Sequence, residues 1–336
     1  MKTLLLTTSI VSLTAFSVFA ATEENIHETR PAKPGGKLVV DVDFGSIDLA
    51  PGDNDKVVID AHRKIEASSK EKEEEYFKSV PVRITVEGDS VVVRAIHKNE
   101  SLGSQIWKML GHHRSEARYT VRVPASFSAQ LDTAGGSISA HGLSGTFKAD
   151  TSGGDLDFAQ IKGDLHADTS GGDVTAKDCD GAASLDTSGG RIEVSGGRGK
   201  LNADTSGGPI TVLNHVGDTK VESSGGKLRL GNISGKLSAE TAGGSVSAIL
   251  SSPVVGDVRL ETSGGSIAVV TPPNAALTID AETSAGSVRS DLPISRISAD
   301  SDSLKGTMNG GGTKLVLRSS AGSIEIVSAD KQTAQQ

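Results

Sequence analysis

From Phe147 to Asp218 the chain alternates apolar and polar residues in two short bursts, separated by paired glycines. The whole pattern returns every eighteen residues, as FKADTSGGDLDFAQIKGD, LHADTSGGDVTAKDCDGA, ASLDTSGGRIEVSGGRGK and LNADTSGGPITVLNHVGD. Counting columns from Phe147, an apolar or small residue fills columns 1, 3 and 10 and usually column 12. Period-two alternation on each side of the glycines predicts two strands per coil, each with one buried face. Column 15 is often apolar (Leu143, Ile161, Cys179, Ile233), which marks a short third side. Column 17 is glycine at Gly145, Gly163, Gly181, Gly199, Gly217 and Gly235, so each coil has two glycine-marked corners.

The DTSGG phrase and its near copies begin at 132, 150, 168, 186, 204, 222 and 240, then at 261 and 282, and again at 318. A fixed period of this kind signals a solenoid. The longer coils hold their extra residues in LSSPVVG and TPPNAA, where proline fits a surface loop. The gap before 318 leaves room for one degenerate turn near DSDSLKG, for about ten coils in all. Two other repeat architectures fail. A hexapeptide helix needs an apolar residue every six positions, and a calcium-binding nonapeptide repeat needs a glycine-rich turn every nine; this chain has neither. The expected fold is all-β: a single-chain parallel β-solenoid, or β-helix, of coils of about 18 residues. It is right-handed, as parallel crossovers usually are. With strands about 4.8 Å apart, such a stack makes a rod on the order of 50 Å long.

Residues 37–125 carry strand patterning without that period, and DVDFGSI, from Asp41 to Ile47, reads as a diverged first coil. Two inserts interrupt the segment, at 66–80 and 100–115. In the first, Ser68 and Glu71 form a capping box, Glu74 and Lys78 stand four apart, and Pro81 ends the pattern, which predicts a short helix. The second carries Trp107, a candidate anchor for a partner, and the adjacent His112 and His113. Adjacent side chains point apart, and nothing is spaced to complete a metal site with the two histidines. Around these lie an expected linker at 21–36, the solenoid at 126–327 and a disordered tail at 328–336.

The first twenty residues place Lys2 before a largely apolar run from Leu4 to Phe19, with Val18 and Ala20 suiting a cleavage site. This reads as a signal peptide at 1–20, and it implies an exported protein of the periplasm or cell surface. No later stretch approaches the length of a transmembrane helix. One cysteine, Cys179, leaves no disulfide framework. A net charge of -8 without a basic stripe argues against nucleic acid as a partner. Aromatics at only 3% and 40 glycines favour a narrow core of small aliphatic side chains over an ordinary globular one.

Column 4 is acidic at Asp132, Asp150, Asp168, Asp186, Asp204, Glu222, Glu240, Glu261 and Glu282. Flanked by inward columns, it points outward, so stacking makes a ladder of carboxylates. Neighbours about 4.8 Å apart repel by roughly 0.9 kcal/mol in water, which something must offset. One offset is an Asx turn into the glycines, open to the aspartates but poorly made by glutamate. Another is a bound cation, calcium by its liking for several oxygens, with Asp132, Asp150, Asp168, Asp186 and Asp204 as candidate ligands. The glycine pairs lead into strands such as DVTAK, whereas a phosphate cradle needs a helix there. No catalytic constellation is found: GxSxG is absent, and Ser69 with Lys72 lies on a charged helix where capping and solvation explain both.

The N-terminal GKLVVDVDFGSIDL, the repeated DTSGGDL and DTSGGRI, and the final NGGGTKLVLRSSAGSIEI resemble the bacterial adhesin-like β-strand-repeat domain family of unknown function. The likeness spans nearly all of residues 37–327, and the insert around 66–114 departs from it. It implies a noncatalytic envelope or surface scaffold, needing no cofactor, that binds an envelope protein or glycan. Two alternatives stay open: a carbohydrate-active β-helix enzyme and a cation-dependent binding module.

Overall fold

A computed structural model of the chain describes residues 21–97 and 115–332. The segments 1–20 and 98–114, including Trp107, His112 and His113, lie outside the described residues. Two long sheets face each other, with 14 strands in sheet A and 15 in sheet B. The chain is nearly all-β and solenoidal, as the period requires.

Eight elements precede the regular repeat: β1 (Thr22–Pro31), β2 (Lys37–Val42), β3 (Ser46–Pro51), β4 (Lys56–Ile65), α1 (Lys70–Ser79), β5 (Arg83–Glu87), β6 (Ser90–Ala95) and β7 (Ser115–Val123). Coils then run from β8 (Ser128–Thr133) and β9 (Ile138–His141) to β22 (Val258–Thr262) and β23 (Ile267–Thr271). Within each coil the first strand joins sheet B and the second joins sheet A. Successive coils stack in parallel and in register, so Leu165 lies beside Phe147 and Ala183, and Val174 beside Leu156 and Ile192. Columns 1, 3, 10 and 12 fill the space between the sheets, as Leu165, Ala167, Val174 and Ala176 do. Each buried leucine or valine contributes about 1.5–3 kcal/mol. The third side is a row of single bridges, Ser144 to Lys162 to Asp180 to Arg198 to Val216 to Ser234.

A third corner lies at column 14, in addition to the two that glycine marks. Gln160, Asp178, Asn214 and Asn232 sit there with φ between 52° and 57°, and Gly142 and Gly196 share the conformation. Asparagine, aspartate and glycine tolerate this left-handed region best, which explains the residue choice. The sequence signal is a column that mixes Gly, Asn, Asp and Gln with no common charge or polarity.

The paired glycines serve different ends. A Cβ on Gly172 would stand 2.0 Å from the Gly154 carbonyl oxygen of the preceding coil, and the same approach recurs at Gly154, Gly190, Gly208 and Gly226. A Cβ on Gly171 would meet nothing closer than 3.7 Å. The chain's own variation agrees: Ala285 and Ala321 occupy column 7, whereas column 8 is glycine in every copy of the DTSGG phrase and in the diverged coil at Gly45.

Threonine at column 5 closes the same corner. Thr187 Oγ1 donates to Gly172 O at 2.9 Å and accepts from Gly190 N at 3.2 Å, so one buried hydroxyl joins two coils. Thr151, Thr169, Thr205, Thr241 and Thr262 repeat the pair, and Ser223 and Ser319 make it with serine.

Both ends depart from simple stacking. The coil of β2 and β3 pairs in parallel with β8 and β9, with Asp41 beside Asp132 and Ile47 beside Ile138, so DVDFGSI is a coil. The coil of β6 and β7 comes later in the chain but packs outside it. At the far end, β24 (Leu277–Thr283) and β25 (Val288–Ser290) form the outer coil. Next come β26 (Ser295–Ala299) and β27 (Ser303–Met308), and β28 (Thr313–Ser319) and β29 (Ile324–Ser328) then return to fill the slot between β22/β23 and β24/β25. Antiparallel strands cover the edges: β5 on β6, β4 and β1 on β7, and β27 and β26 on β24. The region near Asp300, expected as a degenerate turn of the solenoid, is therefore part of an antiparallel cap.

Three local expectations are corrected. The linker at 21–36 contains the ten-residue strand β1. Its residues are mostly polar, and none is fully buried, so no hydrophobic pattern announced it. Glu24 on β1 holds the buried Arg63 by two guanidinium nitrogens, and Glu73 on α1 accepts from Thr22 N at 3.1 Å, Thr22 Oγ1 at 2.5 Å and Ala67 N at 3.0 Å. The tail at 328–336 begins in β29, and Ala329–Gln332 form a helical turn; 333–336 lie outside the described residues. Helix α1 forms as expected, but its N-cap is Ser69 without a side-chain capping bond, while Ser68 Oγ accepts from Lys72 Nζ at 2.9 Å. The expected capping box is absent there.

The corner geometry yields two expectations for thermal and urea unfolding. Gly172→Ala melts well below wild type, and Gly171→Ala melts close to it; equal loss in both would remove the steric argument. Thr187→Val, which strands a buried carbonyl and a buried amide, loses about 1–3 kcal/mol. Thr187→Ser stays near wild type, since Ser223 and Ser319 already serve in that position.

Candidate functional site

The outer face of sheet B carries the chain's most regular chemistry. Alternation along each strand buries columns 3 and 5 and turns column 4 outward, as with Ala149, Asp150 and Thr151. Parallel register then places Asp41, Asp132, Asp150, Asp168, Asp186, Asp204, Glu222, Glu240 and Glu261 side by side on consecutive strands. The returning strand β28 sets Arg318 next, between Glu261 and Glu282. At the other end β6 sets Arg94 beside Asp41. The acid row is thus bracketed by arginines on strands that pack out of chain order.

The Asx turn expected to offset the repulsion is not what the ladder aspartates make. Their side chains leave the sheet on the side away from the corner, where inward-pointing threonine does the capping. The offset comes from column 2, the residue two back on the same outward face. Gln130 donates to Asp132 at 3.2 Å and Ser184 to Asp186 at 3.1 Å. Lys148 lies 2.9 Å from Asp150, Lys220 2.8 Å from Glu222 and Arg259 2.5 Å from Glu261. His166 approaches Asp168 at 3.5 Å. Exposed pairs like these contribute about 0.2–1 kcal/mol each, comparable to the repulsion they answer.

Aspartates that accept backbone amides occupy other columns. Asp155 accepts from Asp173 N and Asp173 from Arg191 N, both at 2.8 Å, and Asp164 accepts from Ala182 N at 3.2 Å. Each bond reaches from one coil to the next.

Two grooves lie along the ladder. One of about 450 Å³ is lined by Asp41, Asp43, Asp132, Asp150 and Asp168, together with Ser152 and Ser170 of column 6. The other, of about 420 Å³, brings Glu240, Glu261, Glu282 and Arg318 together with Ser263 and Ser284. Arg318 donates to Asp280 Oδ2 at 2.8 Å there.

The five aspartates named as calcium ligands therefore stand one per coil, facing solvent. Among the described residues no three His, Cys, Asp or Glu side chains converge as a metal ion requires. Cys179 is half-buried against the Phe158 and Lys177 carbonyls, and burial pushes its thiol up, away from the thiolate a nucleophile needs. Among the described residues no helix is long and apolar enough to cross a membrane.

Residues 181–327 match the family described as Toastrack DUF4097. No curated protein matches the chain. Several solved structures do. A provisionally assigned cell adhesion protein from Clostridium sporogenes is 12% identical, over 91% of this chain and 100% of its own, at a TM-score of 0.19. A provisionally assigned adhesin from Bacteroides fragilis is 10% identical, over 91% and 97%, at 0.29. A provisionally assigned lipid binding protein from Parabacteroides distasonis is 9% identical, over 91% and 96%, at 0.24.

Burial raises the Asp132 carboxyl, against the hydrogen bond from Gln130 and with help from Asp150. Burial also raises Asp186, against Ser184 and with help from Asp168 and Asp204. A carboxyl raised on folding keeps its proton longer in the folded chain, so stability falls as pH climbs from 3.8 through the folded value. Asp186→Asn keeps the acceptor for Ser184 and removes the charge. It should melt above wild type at about pH 7 and level with it at about pH 2. A variant with no gain at neutral pH would show that column 2 already cancels the repulsion.

Proposed function

We propose, for a chain whose residues 181–327 match the Toastrack DUF4097 family, that it is a noncatalytic exported scaffold of the periplasm or cell surface. It binds an envelope protein or glycan on the outer face of sheet B. The observation that carries this reading is the register-matched row from Asp41 to Glu261, one carboxylate per strand on a continuous sheet. A row of equivalent groups at one-strand spacing suits many weak, repeated contacts, whose joint strength comes from multivalency. The complementary partner carries cationic groups at its contact surface.

Such repetition has no use in a single reaction centre, which needs unlike groups converging on one bond. It does suit a surface read along its length. Export follows from the expected signal peptide, and a protein recovered from the envelope should begin near Ala21.

The test is capture from envelope fractions by the mature chain, beside a variant with Asp132, Asp150, Asp168, Asp186 and Asp204 all changed to asparagine. The expected outcome is a protein or glycan retained by wild type, released as salt rises, and lost by the variant. Recovery of nothing above control, or equal recovery by both chains, would remove the reading.

A further inference from the structure

We propose that the hollow at the N-terminal end of sheet B binds an anionic group, a phosphate or a carboxylate, through Arg83, Arg94 and His97. The hollow measures about 380 Å³ and lies over the β5–β6 hairpin, also touching Ser79, Thr85 and Glu87. It lies at the end of the same outer face, where Arg94 neighbours Asp41, and it uses none of the five aspartates tested above, so its failure and that of the acid-face reading are separable.

Arg83 and Arg94 are direct partners in the antiparallel register. Residues so placed share a face with Cβ atoms about 4.5–5.5 Å apart, and like charges there are destabilising. Little on the hairpin relieves this. Arg94 lies 3.6 Å from Glu87, both half-exposed, and Arg83 has no carboxylate partner among the described residues. An anion seated between two guanidiniums meets planar forks of donors suited to its oxygens.

His97 supplies an independent sign. Its side chain is only 8% exposed, and it lines the same hollow. Nδ1 is held by Asp43 Oδ2, which also accepts from His97 N at 3.0 Å, so the ring is fixed from one side. Nε2 is buried and has no partner among the described residues. An orphaned buried nitrogen costs about 1–3 kcal/mol, which a ligand oxygen would relieve after a small shift of the ring toward the hollow. A protonated His97 donates Nε2–H to the anion while Asp43 balances its charge; a neutral one accepts from a protonated phosphate or carboxyl oxygen. Of the carboxylates near the site, Glu87 is engaged by Arg94 and Thr85 and Asp43 by His97, while Asp41 stands beside Arg94 on the next strand.

The test uses the full mature chain, titrated calorimetrically with inorganic phosphate and separately with glucuronate, to tell a phosphate site from a sugar-acid site. Wild type should bind at least one of them saturably. Arg83→Ala should weaken that binding by about tenfold or more, the worth of one charge-assisted hydrogen bond. Arg259→Ala, on the acid face, should leave it unchanged. By NMR, the imidazole resonance missing from the His97→Gln spectrum should move on titration. No saturable binding of either anion, equal binding by Arg83→Ala, or a His97 resonance that stays still would overturn the proposal.

Discussion

Adjacent coils approach so closely at one corner that a single added carbon would stand about 2 Å from a carbonyl oxygen, as at Gly154 and Gly172. The rest of the structure depends on this contact. With glycine there, the backbone turns from sheet B to sheet A while staying in register with the coil beneath. The threonine three residues earlier fills the remaining need. Its hydroxyl satisfies the carbonyl of one coil and the amide of the next, two groups that water cannot reach. A corner made this way can repeat indefinitely, because each copy presents the next with the surface it has just used.

Indefinite repetition is also the hazard of a solenoid, since its last strands invite further pairing. This chain closes both ends in the same manner. The coil nearest each terminus is not outermost: β2/β3 lies inside β6/β7, and β28/β29 lies inside β24/β25. The terminal coils are thus paired along both edges, and antiparallel strands cover most of what remains. The arrangement requires contacts far apart in sequence, such as Leu315 beside Val258, and so carries a larger loop-closure cost than simple stacking. What offsets that cost is burial on two edges of segments that would otherwise fray.

The same end strands shape the chemistry of the outer face. Arg318 and Arg94 reach column 4 because their strands pack out of order, and they bound a row that is otherwise acidic. Along the row, Asp132, Asp150, Asp168, Asp186, Glu222 and Glu261 are each answered within their own strand by the residue two back. The carboxylates of the face remain open to solvent and to partners. The buried Arg63, held by Glu24, and the buried Glu73, held by Thr22, pin the polar β1 to this end.

Period-two alternation around DTSGG was enough, from the sequence alone, to determine two stacked strands per coil, their inward columns, the outward acid row and the short third side. Those features follow from local pattern and a fixed period, both visible in one chain. Which polar side chain closes the corner was also legible in principle, since the alternation that buries Ala167 also turns Thr169 inward. Only the tertiary structure decided the order of the end coils, the capping role of β1 and the meeting of Arg83, Arg94 and His97. Each of these rests on pairing between distant segments whose residues are mostly polar, and such pairing leaves no periodic trace in the sequence.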